Sequence, residues 1–411
     1  MLKNYQLPRK VYATEEHVMF KKTIEEYFKN HVTPHREKWE EQGYCDKEAW
    51  LKAGELGLLG ITCDPKYGGM GLDFSFSAML IEEQARAGAA APGISMHSDI
   101  VIPYLEKHGS DFIKEKYLPG CCSGELIGSL GMTEPSTGSD LQAIKTFAED
   151  KGDHWIVNGS KTFITIGYTS DFTIVACKTD KGAGSRGISL IILDSDMPGF
   201  SKGKPFKKLG LKTSDTCELF FEDVKVPKEN LVGELGMGFI HMMTELPRER
   251  LTIALTAIGA VRGALEHTIQ YTQERKAFKQ PICAFQNTQF EIAEVATQLE
   301  YHCAFVDRCT ELLGEEKLTA ELASMAKYHS SDMQCKMIDA CLQLFGGYGF
   351  IWEYPIARYY GDSRVQRIYG GTNEIMKLMI SRSIFADFFQ EMKAAKKHAQ
   401  KQMAGVAAAA N

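Results

Sequence analysis

Trp155-Ile156-Val157-Asn158-Gly159-Ser160-Lys161-Thr162-Phe163-Ile164-Thr165 is the stretch on which the reading of the fold turns. Two short β-rich runs flank an Asn-Gly pair, and Asn-Gly supplies the positive φ angles of a tight turn, so 155–165 is predicted to be a β-hairpin. Further strands are predicted at Phe172 to Cys177, Ile188 to Leu193 and Leu219 to Val226, separated by Gly-, Ser- and Asp-rich loops. Residues 125–235 therefore read as a middle antiparallel, β-barrel-like domain.

On both sides of that segment the apolar period becomes helical. Upstream, Thr14 before Glu15 and Glu16 reads as an N-cap with acidic first-turn residues. The helix it starts buries Phe20, Ile24, Tyr27 and Phe28, and Pro34 ends or bends it. With further helical runs at Lys47–Leu59, Phe74–Ala87, His97–His108 and Asp111–Leu118, residues 1–124 form an N-terminal all-α domain. Downstream, Leu251, Ala254, Ile258, Val261, Leu265 and Ile269 mark one face of a long helix. Three later helical runs, Gln286–Leu313, Leu318–Leu344 and Glu374–Met392, complete a C-terminal four-helix bundle over 236–392. The Lys/Ala-rich stretch 393–411 reads as a tail. The class is mainly α with an inserted β domain.

A chain of 411 residues, 44% hydrophobic and 24% charged, is a globular composition with room for two or three domains. The net charge of -6 gives no broad attraction for nucleic acid or anionic lipid. The 11 cysteines are odd in number and irregularly spaced, with no CxxC pair, which suits a reducing compartment better than a disulfide framework. No apolar run approaches a membrane span, and the first residues have neither a signal-peptide core nor a transit-peptide bias. No metal-ligand spacing is present.

Two distant segments carry the chemistry: Leu246-Pro247-Arg248-Glu249-Arg250-Leu251 and Tyr369-Gly370-Gly371-Thr372-Asn373-Glu374-Ile375. Pro247 suits the first position of a helix, which would put Glu249 in the first turn, where an acidic side chain ordinarily compensates the dipole. The loop from Leu130 to Asp140 gathers small residues, hydroxyls and free backbone, suited either to an ordinary turn or to hydrogen-bonding a cofactor. With the α, β, α order, these segments resemble the acyl-CoA dehydrogenase family over about residues 10 to 390. In most of that family the residue after the Tyr of the late segment is the catalytic Glu. Here it is Gly370, whereas the long-chain and isovaleryl branches place the base where this chain has Glu249.

The resemblance implies FAD as cofactor, with Leu130, Met132, Thr133, Gly138, Ser139, Phe163, Ile164 and Thr165 along the flavin. It implies that Arg275, Phe278 and Gln286, with the run Gln343, Leu344, Phe345, Gly346 and Gly347, reach the FAD of a neighbouring subunit. Lys279 stands where relatives usually have Gly. Thr372, Asn373 and Glu374 would be the last flavin contacts. Ser139, Pro247, Arg248, Arg250 and Gly371 would border the acyl-CoA, with Glu249 as base and the Gly370 N–H holding the thioester oxygen.

The implied activity is dehydrogenation of acyl-CoA to trans-2-enoyl-CoA in fatty acid β-oxidation, with a long-chain substrate favoured. An electron-transferring flavoprotein would be the acceptor and a homotetramer the assembly. The compartment would be the cytoplasm in a prokaryote or the mitochondrial matrix in a eukaryote. A flavin oxidase or monooxygenase of the same fold is the enzymatic alternative, separated by oxygen consumption. A flavin- or acyl-CoA-binding scaffold without turnover is the other, and it has no need of an aligned base.

Overall fold

The computed structural model describes residues 9–392, so the stretch 393–411 lies outside the described residues. Helix α1 (Glu15–Tyr27) starts at Thr14, whose side chain accepts from the His17 amide. Pro34 bends the chain without stopping it. A π-helical turn, Phe28–Val32, and a 3-10 turn, Thr33–His35, lead into α2 (Arg36–Gln42), which ends at Gly43 with φ of 86°. Then come α3 (Lys47–Glu55), α4 (Phe74–Arg86), the single turn α5 (Ile94–Met96), α6 (Ile102–His108) and α7 (Asp111–Ser123). Ile24, Tyr27, Phe28, Trp39 and Trp50 share one core with Phe76 and Leu80 of α4.

The β domain holds β1 (Gly128–Gly131), β2 (Phe147–Asp150), β3 (His154–Thr165), β4 (Phe172–Lys178), β5 (Ile188–Asp194), β6 (Phe200–Lys202), β7 (Thr216–Pro227) and β8 (Leu231–Val232). They form an eight-stranded sheet in the order β6-β7-β3-β2-β4-β5-β8, with β1 beside β4. Two expectations are corrected here. First, the sheet is mixed and open, neither purely antiparallel nor a closed barrel, because β1 and β2 both run parallel to β4. Parallel neighbours need a long crossover, and the 40 residues between β1 and β4 supply one by detouring through β2 and β3.

Second, Asn158-Gly159 is no turn. It sits inside β3, which runs unbroken for 12 residues and pairs with β7 along its length, with a register shift between Val157 and Gly159. Gly159 is required by proximity: a Cβ there would lie 2.7 Å from the Thr146 Cα. Asn158 spends its side chain across the bulge, donating to Asp223 Oδ1 and accepting from the Asp223 amide, both at 2.9 Å. The turn of the hairpin lies earlier, between β2 and β3, at Gly152 with φ of 90°.

The C-terminal domain is organised by α8 (Gly238–Glu274), a 37-residue helix about 55 Å long. A two-residue ladder, β9 (Lys276–Ala277) with β10 (Gln280–Pro281), turns the chain. Phe278 and Lys279 both adopt positive φ in that turn, at 50° and 68°. Helices α9 (Gln286–Gly314), α10 (Ala320–Phe345), α11 (Pro355–Ser363) and α12 (Asn373–Ile384) follow. Leu251, Ala254, Ile258, Val261 and Leu265 of α8 pack against Ile81 of α4, Leu299 of α9 and Ile338 of α10. Gly259 and Gly263 let α4 lie directly on α8: added Cβ atoms would sit 2.3 Å from the carbonyl oxygens of Glu82 and Arg86. That crossing fixes the N-terminal domain over the middle of α8, where the site lies.

Candidate active site

Helix α8 does not begin at Pro247. It starts at Gly238 and carries Pro247 in its interior, so Glu249 lies three turns in, beyond the reach of the N-terminal dipole. Proline there removes one intrahelical hydrogen bond. The cost is offset by packing, because Met242 is buried in the core of the N-terminal and β domains, with Phe239 and Met243 against it. The dipole compensation expected of a first-turn acid is therefore not open to Glu249.

One cavity of about 480 Å³ runs beside α8 between the three domains. Phe239, Glu249 and Ala260 of α8 all line it. The wall thus extends roughly 15 Å to one side of Glu249 and roughly 16 Å to the other, at the helical rise of about 1.5 Å per residue. Glu249 is 7% exposed. The Tyr104 hydroxyl donates to its Oε1 at 3.0 Å. Burial dominates its protonation and raises it to about 7, with the Tyr104 hydrogen bond opposing and the neighbouring Glu245 adding to the rise. The cavity wall has two other acids, Asp140 and Asp362. Asp140 is exposed, and Asp362 accepts from the Leu211 amide and pins that loop.

Gly370 and Gly371 line the same cavity. Gly370 has φ of 63°, and a Cβ there would lie 2.4 Å from Ile253 Cδ1, one turn along α8 from Glu249. A side chain at 370 would have to displace Ile253. Behind this loop the buried Lys327 donates to the Gly371 carbonyl at 2.7 Å and to Asn373 Oδ1 at 2.9 Å. Burial lowers the Lys327 ammonium to about 8.

Leu130, Met132, Thr133, Gly138 and Ser139 form a second stretch of wall, with Phe163, Ile164 and Thr165 beside them. The stretch brings the hydroxyls of Thr133, Ser139 and Thr165 to the wall, groups able to hydrogen-bond the polar edge of a cofactor. Phe163, at φ of 59°, stands exposed with its ring 5.6 Å from that of Phe206. Beneath it Lys161, fully buried, donates to the Met132 carbonyl at 3.0 Å and to Glu134 at 2.8 Å, which fixes the loop backbone.

Of the other sequence-derived candidates, Arg250 shares the wall and the rest lie elsewhere. Pro247 and Arg248 are off the cavity wall: Arg248 donates to Thr62 at 2.9 Å and to the buried Asp99 at 3.1 Å, a strut into the N-terminal domain. Arg250 is buried on the wall and donates to Ser324 at 3.2 Å. Asn373 is committed to Ser331, Asp332 and Lys327, and Thr372 caps α12 by accepting from the Ile375 amide. Glu374 is exposed. Arg275, Gln286, Gln343, Gly346 and Gly347 are exposed and do not line the cavity, and Phe278 is 90% exposed. Leu344 is half-buried, and Phe345 is a core aromatic stacked on Tyr271 at 4.2 Å.

Family models for the N-terminal, middle and C-terminal domains of acyl-CoA dehydrogenase match residues 14–125, 129–224 and 236–385. The chain belongs to the acyl-CoA dehydrogenase family. It is 46% identical to the mitochondrial long-chain specific acyl-CoA dehydrogenase of Mus musculus over 92% of this chain and 88% of that one. It is 38% identical to the mitochondrial isovaleryl-CoA dehydrogenase of Pongo abelii, over 91% and 90%. The crystal structure of an acyl-CoA dehydrogenase from Geobacillus kaustophilus superposes with a TM-score of 0.89 at 44% identity, covering 91% of this chain and 99% of that one.

As an acyl-CoA dehydrogenase the protein is an oxidoreductase of acyl-CoA thioesters with FAD as cofactor. Three neighbours of the cavity residues escaped the sequence reading: Tyr104 and Glu245 beside Glu249, and Lys327 behind Gly371. Glu245 is four residues before Glu249 and would have emerged had α8 been drawn through Pro247. Tyr104 and Lys327 have no local signal, since their partners are 145 and 44 residues away.

Proposed function

We propose that Glu249 is the base that removes the α-proton of an acyl-CoA thioester, and that the Gly370 N–H holds the thioester oxygen. The observation that carries this reading is a buried carboxyl on the cavity wall, raised to about 7, beside a loop whose residue 370 has no carboxylate to offer. A base poised near the working pH combines a useful ionised fraction with strong proton affinity. The Gly370 amide, held by the Lys327 contact to Gly371, would stabilise the negative charge that grows on the thioester oxygen as the proton leaves. When bound, FAD supplies the acceptor for the β-hydride. The apolar wall around Glu249 excludes water, keeping the proton on the carboxyl until product departs.

The substrate is a long straight-chain acyl group. From Glu249 to Ala260 the cavity follows α8 for about 16 Å of helix, a span comparable with roughly a dozen extended methylenes, which supports a long chain. Small residues, Ala85, Gly88 and Ala260 among them, line the cavity. Electrons pass to an electron-transferring flavoprotein, the acceptor that family membership favours. The exposed Phe278, Phe290, Phe350 and Ile351 of the C-terminal domain support a homo-oligomer, which would bury them and bring Arg275 and Gln286 to a neighbouring subunit's cofactor. Anaerobic bleaching of the flavin with straight and branched acyl-CoAs tests the reading. Glu249→Gln should bleach about a hundredfold to ten-thousandfold more slowly. Rapid bleaching by that variant would falsify the base, and turnover confined to short branched chains would remove the long-chain assignment.

A further inference from the structure

The Glu249 carboxyl is addressed from two directions by groups that the reaction does not consume. From α6, Tyr104 is fully buried and places its hydroxyl 3.0 Å from Oε1. From α8, Glu245 occupies the position one turn earlier, on the same face, where side chains four apart are neighbours. Glu245 is itself buried and clasped by α6: Lys107 donates to its Oε2 at 2.9 Å and His108 to its Oε1 at 3.1 Å. The His108 ring lies 4.1 Å from that of His241, whose Nε2 has no hydrogen-bond partner. Arg250 is the remaining charged group facing Glu249, and it donates to Ser324.

We propose that Tyr104 and Glu245 are opposed positioning residues for Glu249: Tyr104 fixes the carboxyl's orientation and favours its ionised form, while the Glu245 carboxylate, kept charged by Lys107 and His108, favours its protonated form. This rests on Glu249 being the base. The physical need is clear. A carboxyl sealed in an apolar cavity with no donor would stay protonated far above neutrality, and one with a donor and no opposing charge would be too weak a base. The two influences on Glu249 have the required opposite signs, smaller than the burial effect they adjust. Burial pushes Glu245 up as well, yet His108 and Lys107 together hold it below the ordinary range, so it is an anion at the pH where Glu249 works. Lys107 is half-exposed and connects the cluster to solvent.

The test is the pH profile of anaerobic flavin bleaching by a saturated straight-chain acyl-CoA such as palmitoyl-CoA. A second readout, independent of turnover, is the 13C titration of the Glu249 carboxyl in substrate-free holoenzyme. Tyr104→Phe removes a hydrogen bond to a charged group and should move the apparent pKa up by about one to two units. Glu245→Gln removes a like charge and should move it down by about one unit or less. The double variant should fall between the two, a cancellation that simple loosening of the site would not give. Shifts in the same direction, or none, overturn the proposal. Should either variant fail to retain flavin, Lys107→Met at the solvent edge removes the cation that offsets the Glu245 charge while His108 still holds Glu245 ionised, so the Glu249 titration should move up, and a downward or unmoved 13C titration there overturns it equally. Rapid bleaching by Glu249→Gln removes the underlying base assignment instead.

Discussion

Burying an acid that titrates near 7 has a consequence for stability that is separate from catalysis. Glu249 rises from an ordinary 4.5 to about 7 on folding, mainly through burial. A shift of that size corresponds to about 3 kcal/mol. The sign follows from proton linkage. Below pH 4.5 the group is neutral in both states and nothing is lost. Between 4.5 and 7 the unfolded chain releases a proton that the folded chain keeps, so stability falls as pH rises, and above 7 the full penalty remains. Glu249→Gln is neutral throughout and still offers Tyr104 an acceptor. It should match the wild type near pH 4.5 and exceed it by about 3 kcal/mol at pH 8. For a chain of this size that is roughly 3–6 °C in Tm, extrapolating from smaller domains. Thermal melts of substrate-free holoenzyme at the two pH values measure it. A gain that is the same at both, or no gain, would refute the claim that an ionised carboxylate is strained there.

Two further variants test the scaffold. Arg248→Met strands the buried Asp99 without its cation and should cost about 3–5 kcal/mol in denaturant titrations, with the loss smaller at acid pH where Asp99 takes up a proton. Gly263→Ala places a Cβ 2.3 Å from the Arg86 carbonyl oxygen, so α4 must move off α8. The strain should cost about 1–3 kcal/mol net despite better helix propensity, and an unchanged or higher Tm would mean that the crossing is looser than the geometry says.

The domain sequence was legible because it depends on local period: Leu251 to Leu265 repeat at helical spacing, and Ile188 to Leu193 have the length and branching of a buried strand. That Glu249 and Gly370 meet at one cavity was legible through the segments around them. What could not be read was set by partners remote in sequence. Asn158-Gly159 has the composition of a turn. Its glycine is instead demanded by the backbone of Thr146, 13 residues upstream, and nothing local announces that. The parallel pairing of β1 with β4 depends on where the intervening hairpin docks, which strand propensity does not encode. Arg248 is the sequence neighbour of Glu249 and read as bordering the same site. On α8, adjacent residues point about 100° apart, so Arg248 meets Asp99 while Glu249 meets the cavity.

Pro247 shows why the departures from local rules gather at the site. A proline deep in a helix is normally selected against, since it forfeits a hydrogen bond and crowds the preceding turn. Here the turn it crowds carries Met243, on the cavity wall, and Glu245, while the turn it begins carries Glu249. The helix is held through this defect by tertiary contacts: Met242 in the core, Glu245 clasped by Lys107 and His108, Arg248 tied to Asp99, and Glu249 bonded to Tyr104. Met242 in the shared core and three successive bonds to α6 and the segment before it do what intrahelical bonding alone would do elsewhere. Two of them, at Tyr104 and Glu245, also act on the Glu249 carboxyl. The site is thus most constrained where the helix by itself is weakest, a pattern expected when local preference yields to function.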